Sequence, residues 1–350
     1  MGDKHTRKNS RKKRKGGRAL SYILRMFLCL FTVVLLVLGA ALGALYVVFK
    51  GPSVTMCDLV VNTMLETSAL KFVPRIYFTE EEVQEIIARN AVIEPEDEVD
   101  TSMVVVRQPE PAVEGEEQPK DIEIFEVNGP TYKGWMMVVQ DPSRIICGVS
   151  RKSGFRDDER GKRLHEIIEE YGAVAGINGG AFSDHAGTGN GGMPVGLVIS
   201  EGKLMKRATS DEDRSTVIGF DQNDRLIIGK FSGAKAQELG IRDAVSFGPA
   251  LIVNGEPSAF AGGSSGLNPR TAIGQRADGA VLMLVIDGRQ VNSMGASMAD
   301  LIEIMLRYGA VNAANLDGGS SSNLYYNGEY INDGVALTGS RDIPTCFIVR

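Results

Sequence analysis

The chain is poor in the residues that usually build metal or nucleic-acid sites. Only four cysteines and three histidines occur in 350 residues. No CxxC or Cys/His ligand spacing joins them, which argues against a structural zinc. Cys29 lies in an apolar run and Cys57 just beyond it. Cys147 and Cys346 fall in apolar strand-like segments, where a disulfide would suit an exported domain and two buried thiols would suit the apolar setting. Positive charge is scarce too, outside one place. Residues 1–50 hold eleven Lys and Arg against Asp3 alone, leaving 27 of 38 basic and 43 of 44 acidic residues beyond position 50, a net of −16 there. An acidic body argues against nucleic acid as its partner.

The basic tail has a different use. Residues 26–49 directly after it are uncharged and almost wholly apolar, and at about 1.5 Å per residue they span a ~30 Å hydrocarbon core. That run exceeds the roughly 7–15 apolar residues of a cleaved signal, although Gly39-Ala40-Ala41 and Gly43-Ala44 are small enough for cleavage. The expected layout is a single-pass protein of the cell membrane. Residues 1–25 form a basic cytoplasmic tail, 26–49 a transmembrane signal anchor, and the C-terminal bulk is extracellular by the positive-inside rule.

Gly51-Pro52-Ser53 closes the span and caps a helix over about 54–68, and Thr79-Glu80-Glu81-Glu82 reads as a capping box for a helix to about 90. Residues 50–93 thus read as a helical membrane-proximal stalk. Residues 94–120, rich in Glu and Pro, read as a solvated acidic linker with one short strand over 103–106. A domain over 121–350 follows. Strands are expected at 122–127, 132–140, 144–149, 195–200, 216–220, 226–229, 250–253, 271–275, 281–286 and 346–349. Many strands with two or three packed helices give an α+β fold class with a mixed, largely antiparallel sheet.

One pattern occurs twice. A helix-like run ending in Tyr171-Gly172-Ala173-Val174 leads through a short strand to Asn178-Gly179-Gly180-Ala181. Another, ending in Tyr308-Gly309-Ala310-Val311, leads to Asp317-Gly318-Gly319-Ser320-Ser321. Both read as helix, turn, short strand and a Gly-Gly turn, so the two turns are expected to face one cleft. Consecutive glycines allow backbone N–H groups to approach an anion, and Asp317 beside them suits an acid, base or nucleophile. Asp-Gly-Gly-Ser is also a plain capped turn. Arg270 precedes a strand and suits bidentate phosphate binding or a surface ion pair equally. Asp287 ends an apolar strand, and Asp-Gly there also reads as a simple turn. His185 lies beside the glycine-rich stretch 187–192, expected to be a mobile loop.

Taken together, Gly176-Ile177-Asn178-Gly179-Gly180-Ala181-Phe182, Asn268-Pro269-Arg270-Thr271-Ala272-Ile273-Gly274, Asp287-Gly288-Arg289 and Asn315-Leu316-Asp317-Gly318-Gly319-Ser320-Ser321 resemble the phosphodiester glycosidase family. The resemblance covers roughly 125–350, and the anchor-and-stalk layout is similar to that of bacterial membrane-anchored members. It implies a hydrolase that cleaves a sugar-1-phosphodiester at the glycosidic C1–O bond, acting on a sugar-phosphate or glycan of the cell envelope or an exopolysaccharide. A phosphomonoester leaves readily, so the demands are charge stabilisation and an activated water. Chemistry then gives the roles. Arg270, Gly179, Gly180, Gly318 and Gly319 hold the phosphate, Asp317 acts at the anomeric centre with Asp287 in support, and Asn178, Ser320 and Ser321 orient the sugar. A second acid would be Asp287 or Asp184. No cofactor is called for. Two other readings compete: a non-catalytic polysaccharide-binding module and a membrane-anchored scaffold.

Overall fold

The computed structural model describes residues 5–350 except 68, 97, 107–120, 157, 184–189, 208–214, 262–264 and 334–339, with backbone alone for 5–20 and 215. The chain divides into two compact units, Met1–Cys57 and Asp58–Arg350. The first is dominated by the helix His5–Phe49, of which Ser21–Phe49 is long and apolar enough to cross a membrane. Ser53 Oγ accepts from Met56 N at 3.2 Å and so caps the helix Val54–Leu65, satisfying one of its orphan donors.

The second unit begins inside that helix, so residues from Asp58 onward belong with the domain rather than with the long N-terminal helix. Asp58 is buried and receives Arg89 Nε at 2.7 Å, Arg89 Nη2 at 2.5 Å and Asn90 Nδ2 at 2.9 Å. Those partners end the helix Glu80–Arg89, which opens on the expected capping box of Thr79 and Glu82. The expected linker is described only as far as 106, and that part is docked. Val92–Ile93 pairs with Ala259–Phe260, Asp100 N donates to Asn254 Oδ1 at 2.7 Å, and Val105 N donates to Ala277 O at 2.9 Å. No strand forms over 103–106: Thr101–Met103 is a turn of 3-10 helix, and 104–106 follows it as irregular chain. The Asp100 carboxylate caps that turn by accepting from Ser102 N at 2.9 Å.

The domain is α+β, and every strand pairing among the described residues is antiparallel. Its largest sheet has seven strands, in the order Glu256–Pro257, Ala250–Val253, Ala310–Leu316, Arg270–Arg276, Val281–Ile286, Lys133–Val139 and Ile122–Asn128. Val281–Ile286 is apolar at every position because both of its faces are covered. Val281, Met283 and Val285 join Met137, Val139, Ile273 and Leu316 in a core shared with Ile177 and Phe347. The alternate residues Leu282, Leu284 and Ile286 turn to the other face, against Leu301, Ile302 and Met305 of the helix Met298–Arg307.

A second sheet of five strands runs Glu329–Tyr330, Leu324–Tyr326, Ala175–Asn178, Thr345–Val349 and Ile145–Val149. A third, also of five, runs Lys203–Lys206, Val198–Ser200, Ile241–Ser246, Ser215–Asp221 and Leu226–Phe231. Ile241–Ser246 escapes sequence patterning because Arg242 and Asp243 interrupt its apolar run. Asp243 is nevertheless buried, since Oδ1 accepts from Cys147 N and Glu201 N, each at 2.9 Å, and Oδ2 from Arg242.

Both copies of the repeated pattern fold alike. The helix Leu164–Glu170 turns at Gly172 (φ 63°) into Ala175–Asn178, and Met298–Arg307 turns at Gly309 (φ 84°) into Ala310–Leu316. Each glycine occupies the left-handed region that closes a helix C-terminus without a Cβ penalty. Cys147 and Cys346 are both free and buried on paired strands. Burial pushes both thiols up from their ordinary value.

Candidate active site

Strand register brings three of the four motifs to one end of the seven-stranded sheet. Arg270 pairs with Ile286, which places Asp287 beside it, and Thr271 pairs with Leu316, which places Asp317 one residue further on. The fourth motif comes from the other sheet, where Ala175–Asn178 ends at the first Gly-Gly turn. The two turns clasp each other. Asn178 Nδ2 donates to Asp317 O at 2.5 Å, and Asp317 N donates to Gly179 O at 3.1 Å. On its other side, Asn178 Oδ1 accepts from Thr271 Oγ1 at 2.8 Å and from Asn323 N at 3.2 Å. Asn178 is thus a fully buried strut joining both Gly-Gly turns and the strand that begins at Arg270.

The first turn is packed into the fold. Gly179 N donates to Thr345 O at 3.0 Å and Gly180 N to Thr345 Oγ1 at 3.1 Å. A Cβ at Gly180 would lie 2.6 Å from Ser246 O, so glycine here permits close backbone approach. The second turn is more open. Gly319 (φ 61°) donates its N–H to Pro269 O at 2.9 Å, Ser320 is exposed and Ser321 is buried. Asp317 itself is half-buried at the mouth of this turn.

Asp287 is buried, and both of its carboxylate oxygens accept hydrogen bonds within the fold. Oδ1 takes Asn332 Nδ2 at 2.9 Å and Oδ2 takes Asp333 N at 3.1 Å. Ser293 Oγ donates to its backbone carbonyl at 2.6 Å. These bonds tie the loop after 286 to the segment after the second Gly-Gly turn. Asp184, His185 and residues 187–189 of the 187–192 stretch lie outside the described residues.

Arg270 is buried and fixed by three partners. Nε donates to Ala296 O at 3.2 Å, and Nη2 donates to Gly266 O at 2.8 Å and pairs with Glu66 Oε2 at 2.6 Å. Two further arginines flank the second turn, and role assignment from sequence passed over both. Arg289 adopts φ 59°, and a Cβ on Gly319 would lie 3.4 Å from its Nη1. Its Nη2 donates to Asn268 Oδ1 at 3.0 Å. Part of this side chain is open to solvent, yet crowding by the protein lowers its pKa from the ordinary value; Glu66 opposes that shift and Arg270 reinforces it. Arg341 stacks 4.8 Å from the Phe182 ring centroid and reaches Ser320 Oγ at 3.5 Å. Arg289 was visible within the Asp287-Gly288-Arg289 motif. Nothing local marks Arg341 or Glu66.

An antiparallel α+β domain with paired Gly-Gly turns, one mouth carboxylate and three bordering arginines is equipped to handle an anionic substrate. Residues 171–350 match the family model described as phosphodiester glycosidase, and the chain belongs to that family. It is 33% identical over 150 residues to the SPbeta prophage-derived uncharacterized protein YomE of Bacillus subtilis, covering 41% of this chain and 23% of that one. It is 25% identical over 182 residues to N-acetylglucosamine-1-phosphodiester alpha-N-acetylglucosaminidase of Bos taurus, covering 52% of this chain and 32% of the relative. The matched part therefore spans about a quarter to a third of these relatives' lengths. The same fold is found in the catalytic domain of the zebrafish N-acetylglucosamine-1-phosphodiester alpha-N-acetylglucosaminidase, auto-inhibited by its pro-peptide. That match has a TM-score of 0.55 and 19% identity, over 67% of this chain and 85% of that one.

Proposed function

We propose that this protein hydrolyses a sugar-1-phosphodiester of envelope or exopolysaccharide material, on the outer side of the membrane that its N-terminal helix anchors. The observation that carries the reading is the clasp of Asn178 and Asp317, which sets one carboxylate at a glycine turn bordered by Arg270, Arg289 and Arg341. The substrate class comes from the relatives named as N-acetylglucosamine-1-phosphodiester alpha-N-acetylglucosaminidase.

In this mechanism the arginines hold the phosphodiester, and their charge favours its departure as a phosphomonoester. Asp317 takes a proton from the attacking water, whose oxygen bonds to the anomeric carbon. The C1–O bond breaks as that bond forms, and the phosphate carries off the bridging oxygen with its electron pair. Asn178 positions the Asp317 backbone, Asp287 holds the neighbouring loops in register, and Ser320 faces the sugar while buried Ser321 shapes the turn. The basic residues on the N-terminal side of the Ser21–Phe49 helix favour a cytoplasmic tail and an external domain.

The test is incubation of the detergent-solubilised chain with UDP-N-acetylglucosamine in isotopically heavy water. The expected result is free N-acetylglucosamine carrying the heavy oxygen. Label in the phosphate would mean P–O cleavage and a different reaction. Binding without turnover would make the domain a glycan-binding module.

A further inference from the structure

We infer that Asn268, Arg270 and Arg289 form a single phosphate-binding subsite, which the Glu66 carboxylate of the chain's own stalk occupies and must leave before substrate enters. This rests on the sugar-phosphodiester reading above and gives that substrate's anion a specific seat. One carboxylate oxygen, Glu66 Oε2, receives both Arg270 Nη2 at 2.6 Å and Asn268 Nδ2 at 2.9 Å. Arg289 Nη2 borders the same residue from another side, donating to the Glu66 backbone carbonyl at 3.4 Å and to Asn268 Oδ1 at 3.0 Å. The two guanidiniums lie close enough for Arg270 to disfavour the charge on Arg289. Two like charges facing one another in this way call for an anion between them.

Arg270 and the carboxylate are held very differently. Arg270 is 7% exposed and anchored to the backbone carbonyls of Ala296 and Gly266, and Asn268 is 2% exposed, whereas the Glu66 side chain is 35% exposed, on the turn after the helix Val54–Leu65. An anion on an exposed turn exchanges readily, and a buried guanidinium does not tolerate being left without a partner. Helix docking does not depend on Glu66 either. Leu267 N donates to Thr63 Oγ1 at 2.9 Å, and the bare face of Gly266 lies against Thr63, where a Cβ would sit 2.3 Å from Thr63 N. A phosphodiester carries the same single negative charge as a carboxylate and presents oxygens to the same donors, so the exchange conserves charge.

Inorganic phosphate is the probe, titrated calorimetrically into the full-length protein in detergent. Glu66→Ala should bind phosphate at least about tenfold more tightly than the parent, the change expected when an occupied subsite is vacated. Adding Arg289→Gln to that variant should remove the gain. If Glu66→Ala fails to fold, Glu66→Gln keeps the side-chain volume and should shift affinity in the same direction by a smaller factor. Equal affinity in parent and variant, or a gain that survives Arg289→Gln, overturns the subsite. UDP-N-acetylglucosamine turnover measured on the same proteins separates the two claims. Absence of sugar release from all of them refutes the hydrolase reading while the phosphate titration still judges the subsite. Sugar release with phosphate affinity unmoved by Glu66→Ala refutes the subsite alone.

Discussion

Asn178 donates its side-chain amide to the backbone carbonyl of Asp317 across 139 residues of sequence, at 2.5 Å. The donor ends a strand of one sheet and the acceptor follows a strand of another, so this bond helps lock two sheets at the site. Asn178→Ala would leave Thr271 Oγ1, Asn323 N and Asp317 O without their buried partner. The expected loss is about 2–4 kcal/mol of stability. Urea unfolding checks it, and a loss below about 0.5 kcal/mol would show that the strut is dispensable.

Gly180 and Gly172 predict different penalties. At Gly180 a Cβ would meet Ser246 O at 2.6 Å and Val245 Cβ at 2.9 Å, whereas at Gly172 it would meet nothing within 4 Å but would sit at φ 63°. Gly180→Ala should therefore cost about 1–3 kcal/mol through overpacking. Gly172→Ala should cost about 1 kcal/mol through backbone strain alone. Thermal unfolding of both variants gives the comparison, and the reverse order would contradict the packing account.

Arg270→Lys keeps the charge but cannot reproduce a fork that donates to Ala296 O, Gly266 O and Glu66 together. Sugar release should fall by about 10–100-fold, the equivalent of one or two charge-assisted hydrogen bonds. Parental kinetics in the lysine variant would show that point charge alone suffices.

The Asp58–Arg89 pair should fail in acid. Burial alone raises the Asp58 carboxyl, but bonds from Arg89 and Asn90 outweigh it and leave the group below its ordinary 3.8. A depressed carboxylate stabilises the fold above its unfolded value, and that stabilisation is lost as pH falls through the folded value. The segment from 58 to 106 should therefore loosen below about pH 4, seen as faster proteolysis there. Asp58→Ala should reproduce this at neutral pH, at a cost of about 1 kcal/mol because Arg89 is partly exposed. No change in cleavage in that variant would mean that other contacts hold this segment.

Much of this architecture can be read from local pattern. The duplicated Tyr-Gly-Ala-Val to Gly-Gly pattern identifies both helix–strand units, because glycine at a helix C-terminus and an apolar strand are short-range signals. The Thr79–Glu82 capping box and the apolar span are legible for the same reason. What resists reading is long-range. The α+β class follows from element counting, but the division into three larger sheets depends on pairings such as Cys346 with Asn178. Glu66 reaches Arg270 from 204 positions away in sequence, and no spacing rule links them. The acidic composition over 94–106 suggested free solvated chain, yet a few backbone bonds to Asn254 and Ala277 hold it against the domain. Asp287 looked like a site carboxylate at a strand end, and the bonds to Asn332 and Asp333 become visible only in three dimensions.

The most direct test of the account is the rate of N-acetylglucosamine release from UDP-N-acetylglucosamine by Asp317→Asn. This change is nearly isosteric, removes the ionisable group at the mouth of the second turn, and leaves the backbone bonds to Asn178 and Gly179 in place. The variant should unfold at the parental temperature and release sugar about 10²–10⁴-fold more slowly, the range expected for loss of a general base. A folded variant that releases sugar within about threefold of the parental rate would remove Asp317 from the chemistry and contradict the mechanism.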